Sequence, residues 1–284
     1  MKKARLSIFT LVNLLVLVGY FMVVVFPMIW MAYTSLKSDQ EIFLAPFALP
    51  DSGHLHWENY QRAWVGANFS QYFLNSVVVS AASLIGTLII ASMAAYALTC
   101  FRMRGGNMIL MMLISGLMIP LQLALVPLFF QMRGMHLLNS RLGLILVYTA
   151  WSLPFAVFIL SGFFKTLPSS LYEAAIMDGC SEWRAFWSVM LPLARPGLIT
   201  VATFTFLGIW NEYFMAFMFM SGAESEAART LPLGLGNISI TSQYRSEWGT
   251  AFAGLVLVTV PCMIFCIALQ KHMVKGISAG AVKG

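Results

Sequence analysis

The sequence predicts an all-α membrane protein with six transmembrane helices, and three observations carry that prediction. Hydrophobic residues make up 60% of the 284 and charged residues 10%, with a mean hydropathy of +0.81, a balance far from that of a soluble domain. Six apolar runs, 8–34, 72–98, 108–130, 142–164, 198–220 and 250–269, reach the roughly 20 residues a helix needs to cross a hydrocarbon core of about 30 Å. The basic residues lie at the ends of these runs, not in a patch interleaved with stacking aromatics. The net charge of +6 is therefore an orientation signal in a lipid bilayer and gives no reason to expect nucleic acid as a partner. The whole chain, 1–284, reads as one transmembrane domain.

Six spans put both termini on one side. Placing them in the cytoplasm leaves eleven of the seventeen Lys and Arg inside: Lys2, Lys3, Arg5, Arg102, Arg104, Lys165, Arg184, Arg195, Lys271, Lys275 and Lys283. Lys37, Arg62, Arg133, Arg141, Arg229 and Arg245 fall outside. The bias supports cytoplasmic termini. None of the four cysteines is then external, where disulfides persist.

The first span follows a basic start, but its apolar run is too long for a signal-peptide core and lacks a small-x-small cleavage site, so it is expected to stay. Pro27 is a place for it to bend. In the external segment 37–71, Trp57, Tyr60 and Trp64 share one helical face, as in a short helix at the headgroup level; docking of an external partner is a compatible second role. Span two carries Ser76, Ser80, Ser83, Thr87, Ala91 and Ala94 in steps of three and four, a small-residue stripe suited to close helix packing more than to lining a pore. Span three holds Pro120 and Pro127 with Gln122 between them, predicting a bent or interrupted helix able to line a pathway. Pro154, after Trp151 and Ser152, is a further candidate bend in span four.

The loop 165–197 is the longest polar-flanked segment on the inner side and reads as two short helices. Pro168 fixes its entry, and Ser170 with Glu173 predicts a capping box, worth on the order of 1 kcal/mol, so that the first helix begins near Leu171. Ala174 and Ala175 leave one side without bulk, and Gly179 permits the backbone that ends the helix. Trp183, Phe186, Trp187 and Met190 then form an apolar stripe expected to pack on the chain's own spans, before Pro192 and Pro196 stop the helix and turn the chain. The order Glu173-Ala174-Ala175, Gly179, Val189-x-Leu191-Pro192 resembles the EAA loop of ABC importer permeases; every fixed position matches, except that Val189 stands for an isoleucine.

In span five, Thr205, Gly208 and Glu212 share a face, with Asn211 beside the acid. At about 1.5 Å per residue, Glu212 lies roughly 21 Å from the inner surface, where a carboxylate costs a few kcal/mol unless paired or wetted. It reads as a functional residue facing the bundle interior or a cavity, against the alternative of a Glu snorkelling at a shallow outer interface. Trp210-Asn211-Glu212-Tyr213 is similar to a Trp-Asn-acid-aromatic run of carbohydrate permeases, as is Leu231-Pro232-Leu233-Gly234-Leu235 in the outer loop 221–249, and Asn75-Ser76 opening span two. In span six, Cys262 and Cys266 lie one turn apart without His or acid and read as buried small apolar residues, not a metal site. The end, Gly276 to Gly284, is close to the G-x-x-x-GAVKG tail of sugar-importer permeases; physically it is a flexible basic tail suited to anionic lipid or a cytoplasmic partner.

No phosphate-cradling Gly-x-x-x-x-Gly-Lys-Ser/Thr loop occurs, so ATP-driven work would need a borrowed ATPase. A membrane enzyme would need clustered His, Ser or acids within spans, yet Glu212 is the single acid there and His54, His56, His136 and His272 lie in loops or at an end. An ion-coupled secondary transporter using Glu212 is the other alternative, but no internal repeat accompanies it. The resemblance covers nearly the whole chain and implies the type I importer fold, in the shorter member of the permease pair of maltose-type sugar systems. It further implies a second permease, two cytoplasmic ATPase subunits that bind ATP and Mg, and an extracytoplasmic sugar-binding protein, with no cofactor and no catalysis on this chain. By the same resemblance, Glu173, Ala174, Ala175, Asp178, Gly179, Leu191, Pro192, Gly280 and Lys283 would couple to the ATPases. Asp178, at a helix C-terminus that disfavours an anion, should have a cationic partner on the ATPase or in Arg184. Asn211, Glu212, Tyr213 and Gln122 are candidates for the sugar path.

Overall fold

Some apolar runs fold as single long helices even with a proline inside, and others divide, with or without a proline at the break. In the computed structural model, which describes residues 8–101, 103–245 and 247–281, every regular element is helical and no strand occurs among the described residues. The order is α1 (Ile8–Thr34), α2 (Asp39–Leu44), α3 (Glu58–Gln61), α4 (Phe69–Cys100), α5 (Gly106–Ser115), α6 (Leu121–Gly134), α7 (Arg141–Thr166), α8 (Ser169–Met177), α9 (Glu182–Ala185), α10 (Leu191–Leu193), α11 (Arg195–Trp210), α12 (Phe214–Phe219), α13 (Leu231–Arg245) and α14 (Trp248–Ala281). Among the described residues four helices, in α1, α4, α7 and α14, are long and apolar enough to cross a membrane, and the number rises to six if each of two bent pairs is one span.

The described residues form two compact units, one of the residues up to Phe69 with Gly234–Thr259, the other of Ser70–Leu233 with the residues from Val260 onward. In the first, the segment after α1 folds back on that helix's end. Ser38 caps α2 in a capping box with Glu41, and the bonds from Ser38 hold the Glu41 carboxyl below its ordinary range. Asn59 Nδ2 donates to the carbonyls of Ser35 and Lys37 at 3.0 and 2.9 Å. Lys37 is 1% exposed; its ammonium donates to the carbonyl of Ala45 at 2.9 Å and sits 5.3 Å from the Tyr33 ring centre. Burial pushes this ammonium's pKa down, against the pull of Glu41. Tyr60 turns inward to share a hydrogen bond with Ser35 Oγ, whereas Trp57 and Trp64 stay exposed, so the expected three-ring face divides.

In the second unit α7 is the central helix, packed against α5, α11 and α12. The close approach of α11 depends on Gly197, where an added Cβ would meet the Phe163 ring at 2.6 Å. The stripe on α4 is buried from Ser76 through Ala91, as helix packing requires, and then passes to Ala95 because Ala94 is only half-buried. Pro154 sits inside an uninterrupted α7. The third run is divided: residues 106–118 and α6 meet at 102°, with Pro120 at the N-cap of α6, while Pro127 is carried within it.

Three expectations are corrected. The fifth run, 198–220, is not one helix but α11 and α12 with Asn211–Tyr213 between them. The outer loop 221–249 contains α13, in which Leu231, Leu233 and Ile238 are buried; burial overrides the poor helix propensity of Gly234 and Gly236. The tail, expected as a flexible basic segment, is helical as far as Ala281, α14 passing through Gly276. Gly280 is in its last turn, and Lys283 lies outside the described residues.

Candidate functional site

Two places in the second unit collect the sequence candidates. The first is the loop between α7 and α11. α8 begins at Ser169, with Pro168 as its N-cap and no side-chain capping bond. The expected box of Ser170 and Glu173 is therefore absent, because the fixed backbone of Pro168 starts the helix earlier and leaves Ser170 inside the first turn. The C-terminus is as expected: Gly179 has φ +83°, and Gly179 N and Cys180 N donate to the carbonyls of Ile176 and Ala175, both at 3.0 Å. That is a Schellman motif. Nothing lies within 4 Å of a Cβ added at Gly179, so the glycine serves the backbone and not a tight fit.

Ala174 and Ala175 do not share a bare side, since adjacent helical residues point about 100° apart. Ala175 is buried against the protein, and Ala174 is exposed together with Glu173 and Asp178. Leu171, Ile176 and Met177 are exposed as well, Met177 at 87%. Arg184 makes no ion pair with Asp178, so that part of the expectation fails. Ser181 caps α9, accepting from Arg184 N at 3.3 Å. A π-helical turn, Phe186–Met190, follows, and its wider repeat takes the aromatic stripe out of phase. Phe186 and Met190 are buried, while Trp183 and Trp187 are exposed and touch edge to face at 5.7 Å. Pro192 does not stop the helix but lies in α10 beside half-buried Leu191; the chain bends by 75° at Ala194, between residues 182–193 and α11.

Glu182 was not singled out by the sequence. Its Oε1 accepts from the Tyr172 hydroxyl at 2.6 Å and its Oε2 from the Tyr96 hydroxyl at 3.3 Å. The bond to Glu182, with burial and the negative charge adding to it, pushes the Tyr172 phenol up to about 12. Tyr172 therefore remains a donor at any pH a cell meets.

The second place is the break between α11 and α12. Asn211 ends α11, and its Nδ2 donates to the carbonyl of Leu207 at 2.9 Å and to Cys262 Sγ at 3.7 Å. Cys262 and Cys266 are half-buried and free, not fully buried as expected. Glu212 Oε1 accepts from Met215 N at 2.8 Å, and Oε2 accepts from Ala216 N at 3.1 Å and from the Tyr148 hydroxyl at 2.7 Å. The carboxylate thus closes the open first turn of α12 and fixes it to α7, which compensates its desolvation. Nothing among these contacts supports ion coupling through it.

Glu212 also lines a cavity of about 580 Å³ with Thr205 and Gly208, the face expected from the sequence. Tyr148, Trp151, Phe155 and Phe204 supply its aromatic wall, and Gly116, Ile119 and Leu121 at the broken third run supply the opposite side. Irregular backbone here borders a cavity, the setting in which a membrane protein tolerates it. Gln122 is exposed and, with Asn211 and Tyr213, lies off this lining; the Tyr213 ring stacks on Phe217 at 5.7 Å. The spacing i, i+3, i+7 of Tyr148, Trp151 and Phe155 was the unused signal. Asn75, 1% exposed, fastens the opposite end: its amide donates to the carbonyls of Ala227 and Arg229 at 2.8 and 3.0 Å and accepts from Arg141 at 3.2 Å.

Comparison with known proteins agrees with this architecture. Residues 86–279 match the family described as binding-protein-dependent transport system inner membrane component. The diacetylchitobiose uptake system permease protein NgcG of Streptomyces coelicolor is 39% identical over 275 residues, 97% of this chain and 89% of the relative. The trehalose transport system permease protein SugB of Mycobacterium tuberculosis is 32% identical over 267 residues, 94% of each chain. Among solved structures, a chain of a bacterial ABC transporter involved in import of the acidic polysaccharide alginate superimposes with a TM-score of 0.81 at 22% identity, covering 95% of this chain and 98% of its own. A second, of a bacterial alginate ABC transporter in complex with an alginate pentasaccharide-bound periplasmic protein, has a TM-score of 0.66 at 13% identity and covers 92% of each chain.

Proposed function

The chain belongs to the family of binding-protein-dependent transport system inner membrane components, multi-pass permeases of ABC importers, and from that premise we propose that it admits a sugar of di- or oligosaccharide size. The names of the relatives, a diacetylchitobiose and a trehalose permease among them, support the substrate class. In this reading the termini and α8 are cytoplasmic, a second permease completes the pathway, two ATPase subunits bind ATP and Mg, and an extracytoplasmic protein delivers the sugar. The chain itself holds no cofactor and hydrolyses nothing.

The observation that carries the coupling step is α8. It is a nine-residue helix that buries Ala175 and exposes Glu173, Ala174, Leu171, Ile176 and Met177. An exposed apolar side on so short a helix gains stability from a groove in another protein. ATP-driven closure of the ATPases draws on this helix, with Glu173 as the anchoring charge and the turn at Asp178–Gly179, Leu191–Pro192 and the tail at Gly280 and Lys283 bordering the contact. The bundle then rocks from inward-facing to outward-facing. Sugar passes the cavity at Glu212, whose aromatic wall suits the apolar faces of pyranose rings; Asn211, Tyr213 and Gln122 belong to the path only at its margins.

Uptake by the complete transporter in proteoliposomes tests the reading. Glu173→Ala and Gly179→Asp should abolish ATP-dependent sugar uptake while membrane insertion stays normal. Wild-type uptake by both variants would defeat the coupling role of α8.

A further inference from the structure

α8 is set between two corners of the chain. On one side Leu167 and Pro168 are extended, and on the other the chain turns at Gly179 with φ +83°. A push on so short a helix reaches the spans only through the contacts that hold it to its neighbours. The inward side of α8 is also small, with Tyr172 half-buried and Ala175 buried.

Beside its packing on α9 and the π-helical turn, a polar tie restrains it. Glu182 accepts the Tyr172 hydroxyl from α8 on one oxygen and the Tyr96 hydroxyl from α4 on the other, at 2.6 and 3.3 Å. Tyr96 is 5% exposed, one turn from the end of α4. Its ring lies 5.0 Å from Phe186, 6.0 Å from Phe164 and 6.3 Å from Tyr172, so α4, α7, α8 and the π-helical turn meet around it. The 2.6 Å bond from Tyr172 is of the short, charge-assisted kind and the 3.3 Å contact from Tyr96 a longer one, and each fixes a direction that ring packing alone leaves loose.

We propose that Glu182 is the positioning residue of the coupling loop, its carboxylate holding Tyr172 and Tyr96 so that α8 and the adjoining end of α4 move as one body. Displacement of α8 by an ATPase then reaches a membrane span through this tie. The inference rests on the importer reading above. It assigns to Glu182 a share in the ratio of ATP hydrolysed to sugar moved, and none in binding either molecule.

The test uses the complete transporter in proteoliposomes together with amide hydrogen exchange of residues 169–177. Glu182→Ala and Tyr172→Phe should each raise the ATP consumed per sugar severalfold, with assembly intact, and speed exchange in α8 by about tenfold, the loss expected for one charge-assisted hydrogen bond. Glu182→Gln, whose amide oxygen can take one phenol proton while its NH₂ meets the other phenol oxygen, should stay near the wild type in both readouts. An unchanged ratio in Glu182→Ala and Tyr172→Phe overturns the proposal, whether or not exchange quickens; so does a Glu182→Gln variant as uncoupled as Glu182→Ala. Absence of ATP-driven uptake by the wild-type complex would count against the importer reading itself, while the exchange rates would still report the tie.

Discussion

A carboxylate among membrane helices needs donors, and Glu212 has three of them. The sequence located the residue, because an acid deep in an apolar run is costly wherever it occurs. It did not disclose the partner, since Tyr148 is 64 residues away and a tyrosine in a span carries no local mark. Nor did it show that the run breaks there. Glu212→Gln replaces an acceptor with a donor that in either orientation faces a backbone N–H, of Met215 or of Ala216, so a donor is left unmatched at a cost of about 1–3 kcal/mol. The expected outcome is a transporter that assembles, unfolds a few degrees lower and takes up sugar more slowly, with the loss largest where α12 must hold its place beside the cavity. Thermal unfolding followed alongside uptake checks this. Wild-type values for both would return Glu212 to the shallow interface that its position in the sequence also allowed.

At the scale of elements, breaks written in proline were legible and breaks made by tertiary partners were not. Pro120 removes a backbone donor and constrains Ile119, so an interruption of the third run follows from chemistry local to it. The gap between α11 and α12 has no such residue; the side chains of Asn211 and Glu212 satisfy the freed backbone groups after the chain has folded. The same contrast holds in the coupling loop. Gly179 announced the end of α8, whereas the π-helical turn that exposes Trp183 and Trp187 left no sign in an apparently regular stripe. The surface of α8 is the element's own prediction. Leu171 and Met177 lie six residues apart at 39% and 87% exposure, and replacing both with serine removes exposed apolar area from α8 without touching Ala175 or Tyr172. Each buried leucine- or methionine-sized side chain contributes about 1.5–3 kcal/mol to an interface, so the double variant should lose most of its ATPase in a pull-down from detergent while still inserting in the membrane. Undiminished recovery of the ATPase would place the contact elsewhere.

Over the whole molecule, hydropathy gave the class and a few spaced residues gave the family, by different physics. Apolar length is dictated by the bilayer, so the runs could be drawn without any partner in view. In the proposed reading the Glu-Ala-Ala, Gly and Leu-Pro spacing of this loop carries a meaning because another protein reads it, and the loop lies within the matched segment 86–279. No residue of the most apolar stretch of α1 is buried, a surface that lipid or another subunit can cover. If the second permease covers it, isolation of the tagged chain from its native membrane in a mild detergent should bring an ATPase and another multi-span permease in comparable amounts, as mass spectrometry would read them. Substituting bulky apolar residues on one side of α1 with alanine should then reduce the second permease in the eluate before it reduces the ATPase, because α8 is untouched. Recovery of the chain alone, or as a homo-oligomer, under conditions that keep other importer complexes whole would remove the heterodimer from the mechanism and with it the shared pathway at Glu212.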